Sequence, residues 1–382
     1  MGSTRKIKVL EVIQQGEIGG GESHLLTLIS QMDRSRFEPV VVALSDGEMI
    51  RRLTDMGITN YVVNTKLPFN MAVWPAIKRI LVGNRIDIVH THGARALSNL
   101  YHPASKLSIP IVHTVHGWSF HDHLPAWKRK LRIKGEKFLT GKASMNIVVS
   151  DSNRRIGLEQ FGRFSCRVIN NGVDLSVYAA RSGDAIRTEF GIPPSSVVTS
   201  FVARFIHDKN PLALVRAFQQ VHALYPDSYL VLVGDGPARQ SAISLASELG
   251  LQKHVILPGF RKDVPEILAA SDIFCLPSIK EGLPVSLIEA MAMQNASIAT
   301  DVQGCVDVIT HEKDGLLVSL DKLEEELAAA LLTLLSDPAK RRQLAASGRK
   351  TVEERFDAVA MARKIEALYL EQVNQKTAVP AV

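Results

Sequence analysis

The 382-residue sequence has little cysteine, few aromatic residues and no long apolar run, and these shortages remove whole classes of protein. Its three cysteines, Cys166, Cys275 and Cys305, are widely spaced and form no Cys-x-x-Cys pair. That excludes a disulfide scaffold or a zinc knuckle and fits a reducing compartment. Nowhere do about 18 apolar residues follow one another, as a spanning helix requires. The first apolar run, Ile7–Ile13, follows Met1–Lys6 directly; it is too short to span, and no cleavage pattern follows it. The expected location is cytoplasmic, at most on the inner face of a membrane. Internal repeats and low-complexity tracts are also lacking. What remains, 46% hydrophobic and 22% charged residues, is ordinary globular composition. The net charge of +6 favours anionic partners: nucleotide phosphates, anionic lipid or nucleic acid. No motif supports the last.

At about 150 residues per domain, the length suggests two domains. Short apolar runs alternate with helical patterns, the signature of parallel sheets covered by helices. Strands are expected at Lys8–Ile13, Pro39–Leu44, Asn60–Val63, Ile86–Thr91, Pro110–Thr114 and Asn146–Ser150, with helices such as Glu22–Met32 and Trp74–Val82 between them. A second series runs through Val197–Ala203, Tyr229–Val233, Val255–Leu257, Ile273–Leu276 and Ser297–Thr300. The Gly/Asp/Ser-rich stretch Asn170–Ala185 reads as a linker. We therefore expect an α/β chain of two doubly wound, Rossmann-like domains, residues 1–176 and 177–357, with a cleft between them. The helix 358–376 is expected to return to the first, and the tail from Lys376 to fray.

The sharpest local pattern runs from Pro277 to Ala290. A buried strand stops at Pro277, Gly282 permits an unusual turn, and Pro284 suits a helix's first turn. The N–H groups and positive dipole end of that helix make a ready diphosphate site. Glu281 precedes the helix and Glu289 lies inside it, so one carboxylate can reach sugar hydroxyls and the other ribose hydroxyls. Upstream, Arg204 follows a strand and Lys209 precedes a helix; a guanidinium and an ammonium there can stabilise a leaving diphosphate as its charge grows.

In the first half, Gly19-Gly20-Gly21-Glu22 opens the first helix without the Gly-x-Gly-x-x-Gly spacing of dinucleotide binders. Seven of twelve histidines fall between His90 and His123. His90 and His92 end one strand, His113 and His116 the next, while His121 and His123 read as loop residues. A metal site is the alternative reading of these histidines, but no helix-borne His-x-x-x-His pair or cysteine partner accompanies them. Over 124–142, Leu124, Trp127, Leu131 and Phe138 share an arc of a helix otherwise rich in Lys and Arg. Such a helix either binds an anionic membrane surface or acceptor, or packs its apolar stripe on the domain core.

Pro-Ser-x-x-Glu-Gly-Leu-Pro-x-x-x-x-Glu-Ala, with seven residues between Glu281 and Glu289, resembles the retaining glycosyltransferases of family 4, the glycosyl transferases group 1, which have the GT-B fold. The resemblance covers most of the chain and is strongest from about Phe201 to Val318. It implies transfer of a sugar from a nucleotide diphosphate donor, UDP by family frequency, to a hydroxyl of a cell-surface glycan or glycolipid, as in polysaccharide or lipopolysaccharide biosynthesis. It further implies His116, Arg204, Lys209 and Glu281 as catalytic residues. The donor would be held by Gly20, Gly21, Gly234, Gly259, Phe260, Arg261, Gly282, Leu283, Pro284, Val285, Ser286 and Glu289, with Glu22 and His92 on the acceptor side. No cofactor or metal is implied, and Asp-x-Asp, the metal–diphosphate motif of the other major glycosyltransferase fold, is absent. The chain departs from the family at Ala203, Gln294-Asn295 and Asp307, where Gly, Gly and Glu are usual. Two other readings share this scaffold: a nucleotide-sugar epimerase or hydrolase, and a non-catalytic nucleotide-sugar binding protein.

Overall fold

In a computed structural model the described residues are 5–120 and 124–378. His121 and His123 therefore lie outside the description, as does the tail beyond residue 378. The chain forms two compact units. One comprises the chain up to Gly172 together with the segment from Ala358; the other is Val173–Asp357. The chain already belongs to the second unit at Val173, just before the expected break, because the Val173 N–H bonds the Phe356 carbonyl at 2.8 Å.

The first unit contains a seven-stranded parallel sheet: β1 (Ile7–Ile13), β2 (Phe37–Ala43), β3 (Thr59–Val62), β4 (Ile88–His92), β5 (Ile111–Val115), β6 (Met145–Val148) and β7 (Cys166–Val168). Its order is β3-β2-β1-β4-β5-β6-β7. The central strands are runs of Val and Ile buried on both faces, as helix-covered parallel strands must be. The second unit repeats the plan with β8 (Val198–Val202), β9 (Tyr229–Val233), β10 (Val255–Gly259), β11 (Ile273–Leu276), β12 (Ala296–Thr300) and β13 (Leu316–Val318), in the order β10-β9-β8-β11-β12-β13. β7 and β13, three residues each at the sheet margins, escaped the sequence reading because they are too short to show a periodicity.

In each unit the strand order reverses direction at one point, between β1 and β4 and between β8 and β11. Ligands of such sheets collect at the carboxyl ends of the strands there. The helix Ala358–Ala378 carries Met361, Ile365, Leu368 and Tyr369 into the core formed by Val9, Leu28 and Phe37, which ties the chain's end to the first unit.

Candidate functional site

In the second unit, β11 runs out into Pro277–Pro284, and the helix Val285–Ala292 follows with Pro284 as its N-cap. The proline thus stands just ahead of the first turn rather than inside it. Having no N–H, it leaves the amides of Val285, Ser286 and Leu287 as the helix's first donors, without intrahelical acceptors. The unusual backbone turn expected at Gly282 falls elsewhere. Gly282 is not among the residues of positive φ, whereas Gly304, at φ 83°, is; a Cβ there would stand 2.7 Å from the Gly282 carbonyl oxygen. Gly234, φ 134°, is tighter still: a Cβ would come within 1.9 Å of the Ala203 oxygen, so only glycine lets the turns after β8 and β9 meet.

Arg204 follows β8 two residues past its end and is exposed, and its side chain makes no hydrogen bond or ion pair among the described residues. Lys209 ends the short 3-10 turn His207–Lys209. The Asp208 carbonyl accepts the Ile279 N–H at 2.8 Å, tying this turn to the loop after β11. The Lys209 ammonium pairs with the Glu281 carboxylate, which is 8% exposed. Half-buried Glu289 accepts a hydrogen bond from Tyr178, whose position in the expected linker gave no sign of a site role. Burial raises the Glu289 carboxyl above its ordinary pKa, and the Tyr178 bond only partly offsets this. The Tyr178 hydroxyl is pushed well up by burial and by the neighbouring carboxylate. Gly259 has φ 83°, and Phe260 is 52% exposed. The Arg261 side chain is committed locally, at 2.5 Å to Glu189 and 2.6 Å to Asp263, so beside a ligand this segment offers its backbone and the Phe260 ring.

In the first unit, Gly20 and Gly21 open the helix Gly20–Gln31 with Gly19 as N-cap, and Glu22 is buried in its first turn. A Cβ on Gly21 would stand 3.5 Å from the His116 ring. His92 and His116 meet at 3.0 Å, Nδ1 to Nε2. Behind them is a cluster of His90, which the sequence reading named only as a strand-end residue, and of Glu11, His24 and Tyr369, which it passed over. Glu11 Oε2 accepts from His92 Nε2 at 2.8 Å, and Glu11 Oε1 accepts the Tyr369 hydroxyl at 2.8 Å. His24 lies edge-on to His116, ring centroids 5.0 Å apart. Burial alone would raise the Glu11 carboxyl, but His90 and His92 outweigh it and hold the group well below the usual carboxylate range. Burial drives the rings the other way: His92 falls to about 4, His113 to about 3, and His24 and His116 well below the ordinary value. At neutral pH these four rings are uncharged.

The ring nitrogens of His24, His92 and His116 lie within 4.8 Å of one another, as do the donor atoms of Glu11, His90 and His92. A cation held by the first set would have to break the His92–His116 hydrogen bond, and one held by the second would displace donors already seated on Glu11. The arrangement is that of a hydrogen-bonded chain.

The basic helix spans Ala126–Thr140, and its core-facing residues are Glu136, Leu139 and Thr140. Trp127, Leu131 and Phe138 are exposed by 65%, 64% and 45%. The apolar stripe is therefore not packed on the core. Phe138 meets the exposed Phe69 at 6.2 Å between ring centroids, extending the patch toward Leu67 and Met71. No helix among the described residues is long and apolar enough to cross a membrane.

Comparison with known proteins gives this geometry its context. The family described as Glycosyl transferases group 1 matches residues 183–351, and Glycosyltransferase Family 4 matches residues 18–177. The chain is 28% identical to the UDP-Gal:alpha-D-GlcNAc-diphosphoundecaprenol alpha-1,3-galactosyltransferase of Escherichia coli, over 97% of this chain and 98% of that one. It is 25% identical to the N-acetyl-alpha-D-glucosaminyl L-malate synthase of Bacillus anthracis, over 83% of each. In structure it resembles Anabaena Alr3699/HepE in complex with UDP-glucose, with a TM-score of 0.85, 23% identity and coverage of 96% and 100%. It also resembles WaaG, a glycosyltransferase involved in lipopolysaccharide biosynthesis, with a TM-score of 0.76, 17% identity and coverage of 95% and 99%. With both halves matched in sequence and the fold shared with solved relatives, the chain belongs to the group 1, family 4 glycosyltransferases of GT-B fold.

Proposed function

We propose that the chain transfers a hexosyl unit from a UDP-sugar to a hydroxyl of a lipid-linked or cell-surface glycan, with retained anomeric configuration and no metal. The observation that carries this reading is the convergence, in the second unit, of the Lys209–Glu281 pair and the amide-presenting start of the helix Val285–Ala292. A leaving diphosphate gains charge as the donor's C1–O bond breaks, and fixed cations and amides stabilise it most at that moment. Arg204, unengaged and exposed, and Lys209 take the phosphates; Glu281 orients the sugar; Glu289, held by Tyr178, takes the ribose hydroxyls. The loops at Gly234 and at Gly259–Arg261 flank the nucleotide. Gly20, Gly21 and Glu22 line the acceptor side of the first unit, where His116 contacts the transferred sugar or acceptor. As C1–O breaks, the acceptor oxygen bonds C1 on the same face, and its proton passes to the leaving phosphate oxygen.

UDP and UDP-glucose accompany Alr3699/HepE in solved complexes, and the E. coli relative's name specifies a UDP-sugar and a diphosphoundecaprenol-linked acceptor; both favour these substrate classes. The exposed Trp127/Leu131/Phe138 stripe, set among lysines and arginines, favours work at an anionic membrane surface on the cytoplasmic side.

A thermal-shift screen of nucleotide sugars, followed by incubation with and without a lipid-linked acceptor, tests the proposal. UDP-sugars should raise the melting temperature, and product should form only with acceptor, in the donor's anomeric configuration and undiminished by EDTA. Donor consumption without acceptor would instead mark a hydrolase or epimerase, and binding without turnover a non-catalytic protein. Co-sedimentation with anionic vesicles at low salt, but not with neutral ones, tests the membrane contact.

A further inference from the structure

Glu11 stands in the middle of β1, the one charged residue of its buried stretch Val9–Ile13, opposite His90 in the register with β4. Its burial is complete. A carboxylate there persists only if donors surround it, and three do. The Tyr369 hydroxyl reaches Oε1 at 2.8 Å, His92 Nε2 reaches Oε2 at 2.8 Å, and His90 Nδ1 reaches Oε2 at 3.1 Å.

An ionised carboxylate can only accept, so it dictates the protons of every neutral ring linked to it. Tyr369 gives its hydrogen to Glu11. His90 Nδ1, 2.6 Å from the Tyr369 oxygen and 3.1 Å from Glu11 Oε2, must then carry a hydrogen, shared between the two. His92 Nε2 likewise must carry a hydrogen, leaving a lone pair on Nδ1. That lone pair can take only a donor at 3.0 Å, so His116 bears its hydrogen on Nε2. His116 Nδ1 is left as a bare acceptor. It is shielded from solvent and has no hydrogen-bond partner among the described residues.

We propose that Glu11 is a positioning residue that acts through His92 to hold His116 as the Nε2–H tautomer, presenting the Nδ1 lone pair to a hydroxyl of the bound carbohydrate. A group that can only accept selects a hydroxyl donor and fixes that hydroxyl's orientation. Tyr369 belongs to the same device: the returning C-terminal helix delivers the donor that secures the far oxygen of Glu11. The carbohydrate contact rests on the glycosyltransferase reading of His116; the tautomer does not.

Nitrogen-15 NMR of the full chain labelled at histidine, with the His116 signals assigned by their loss in His116→Asn, tests the tautomer directly. His92 and His116 should both show a hydrogen on Nε2 and a bare Nδ1 at neutral pH. A hydrogen on His116 Nδ1, or a charged His116 ring, overturns the proposal whether or not transfer is ever observed. Kinetics then test the consequence. Glu11→Gln brings an amide N–H among converging donors; it should lower kcat by about 100-fold or more, as wrong-tautomer variants of histidine dyads do, with the UDP dissociation constant unchanged. His116→Asn, whose amide falls near the Nδ1 position, should retain at least about ten times the kcat/KM of His116→Gln. Equal loss in the Asn and Gln variants, or wild-type kcat in a folded Glu11→Gln protein, counts against the proposal.

Discussion

In the first unit one buried carboxylate, Glu11 of β1, is held by the Tyr369 hydroxyl and the His90 and His92 rings, whereas the second unit sets a cation against a carboxylate at the edge of solvent, with Lys209 21% and Glu281 8% exposed. The first arrangement orders a chain of hydrogens that ends at His116 Nδ1, an atom without a hydrogen-bond partner among the described residues. The second concentrates charge where charge would have to be met. Both occur where the strand order reverses, so the same fold plan brings together two different sets of groups, one on β1, on β4 and just after β5, the other following β8 and β11.

The largest effects should come from the charged site. Lys209→Ala is expected to lower kcat by about 100- to 1,000-fold while UDP affinity changes by less than about tenfold, the pattern of a group whose main work is in the transition state. It also leaves Glu281 buried without its cation, so the melting temperature should fall. Adding Glu281→Gln should restore the melting temperature but not turnover. Arg204→Ala sharpens the point: its side chain makes no bond among the described residues, so turnover should collapse with stability intact. Steady-state kinetics beside calorimetry reads both. Unchanged turnover in either single variant would remove that residue from the scheme.

Glu289 sits between the two styles, a half-buried carboxylate hydrogen-bonded by the neutral hydroxyl of Tyr178. Its pKa is raised because burial disfavours the charged form. Glu289→Gln keeps the shape and a hydrogen bond while removing the burial cost, so the melting temperature should hold or rise. UDP affinity should drop about tenfold through loss of a charge-assisted bond to the ribose. An unchanged affinity for UDP would take the ribose away from Glu289.

The local motif was legible because its parts are contiguous: a strand, a turn and a helix within Ile273–Ala292 carry the first-turn amides and both glutamates. The histidine chain was legible only in part. His92 and His116 announce themselves at strand ends, but Glu11 reads, like Lys8, as a charge in an apolar run, and Tyr369 lies far away in sequence. Only the parallel register of β1 with β4 and the return of the C-terminal helix bring them together. The one signal available in advance was a lone glutamate in the predicted first strand. Tyr178 gave less, since the loop that carries it has no periodicity to place its side chain.

Acid should separate the two units. His24, His92, His113 and His116 have folded pKa values below the ordinary 6.5 because burial disfavours their charged forms. Below about pH 6.5 the unfolded chain binds protons that the folded chain refuses. Their stabilisation is thus present above that pH and lost as pH falls through the folded values, about 4 for His92 and about 3 for His113. Glu289 has the opposite sign. Its raised pKa gives a contribution present below its unfolded value and lost as pH rises through the folded one. Trp74, Trp118 and Trp127 all lie in the first unit, so tryptophan fluorescence reports that unit alone. Between pH 7 and 4 its unfolding midpoint should fall by about 5–10 °C more than that of the second unit, followed by calorimetry. Parallel shifts of the two would mean the rings are not held neutral.

The smallest effect concerns backbone rather than charge. After the helix Val285–Ala292 the family usually has glycine where this chain has Gln294-Asn295, and the structure separates the two positions. Gln294 is exposed and has φ 60°, the left-handed region that costs an ordinary side chain about 1 kcal/mol. Asn295 is buried, and its amide donates to the carbonyls of Leu268 at 3.0 Å and Ser271 at 2.6 Å. Gln294→Gly should therefore raise the second unit's melting temperature by about 2–4 °C. Asn295→Gly should lower it by more, because two buried carbonyls lose a donor. Opposite signs from adjacent glycine substitutions, read by calorimetry with UDP-sugar turnover unchanged in Gln294→Gly, would show that the departure from the family is absorbed as local strain at Gln294 and outweighed by the buried bonds of Asn295.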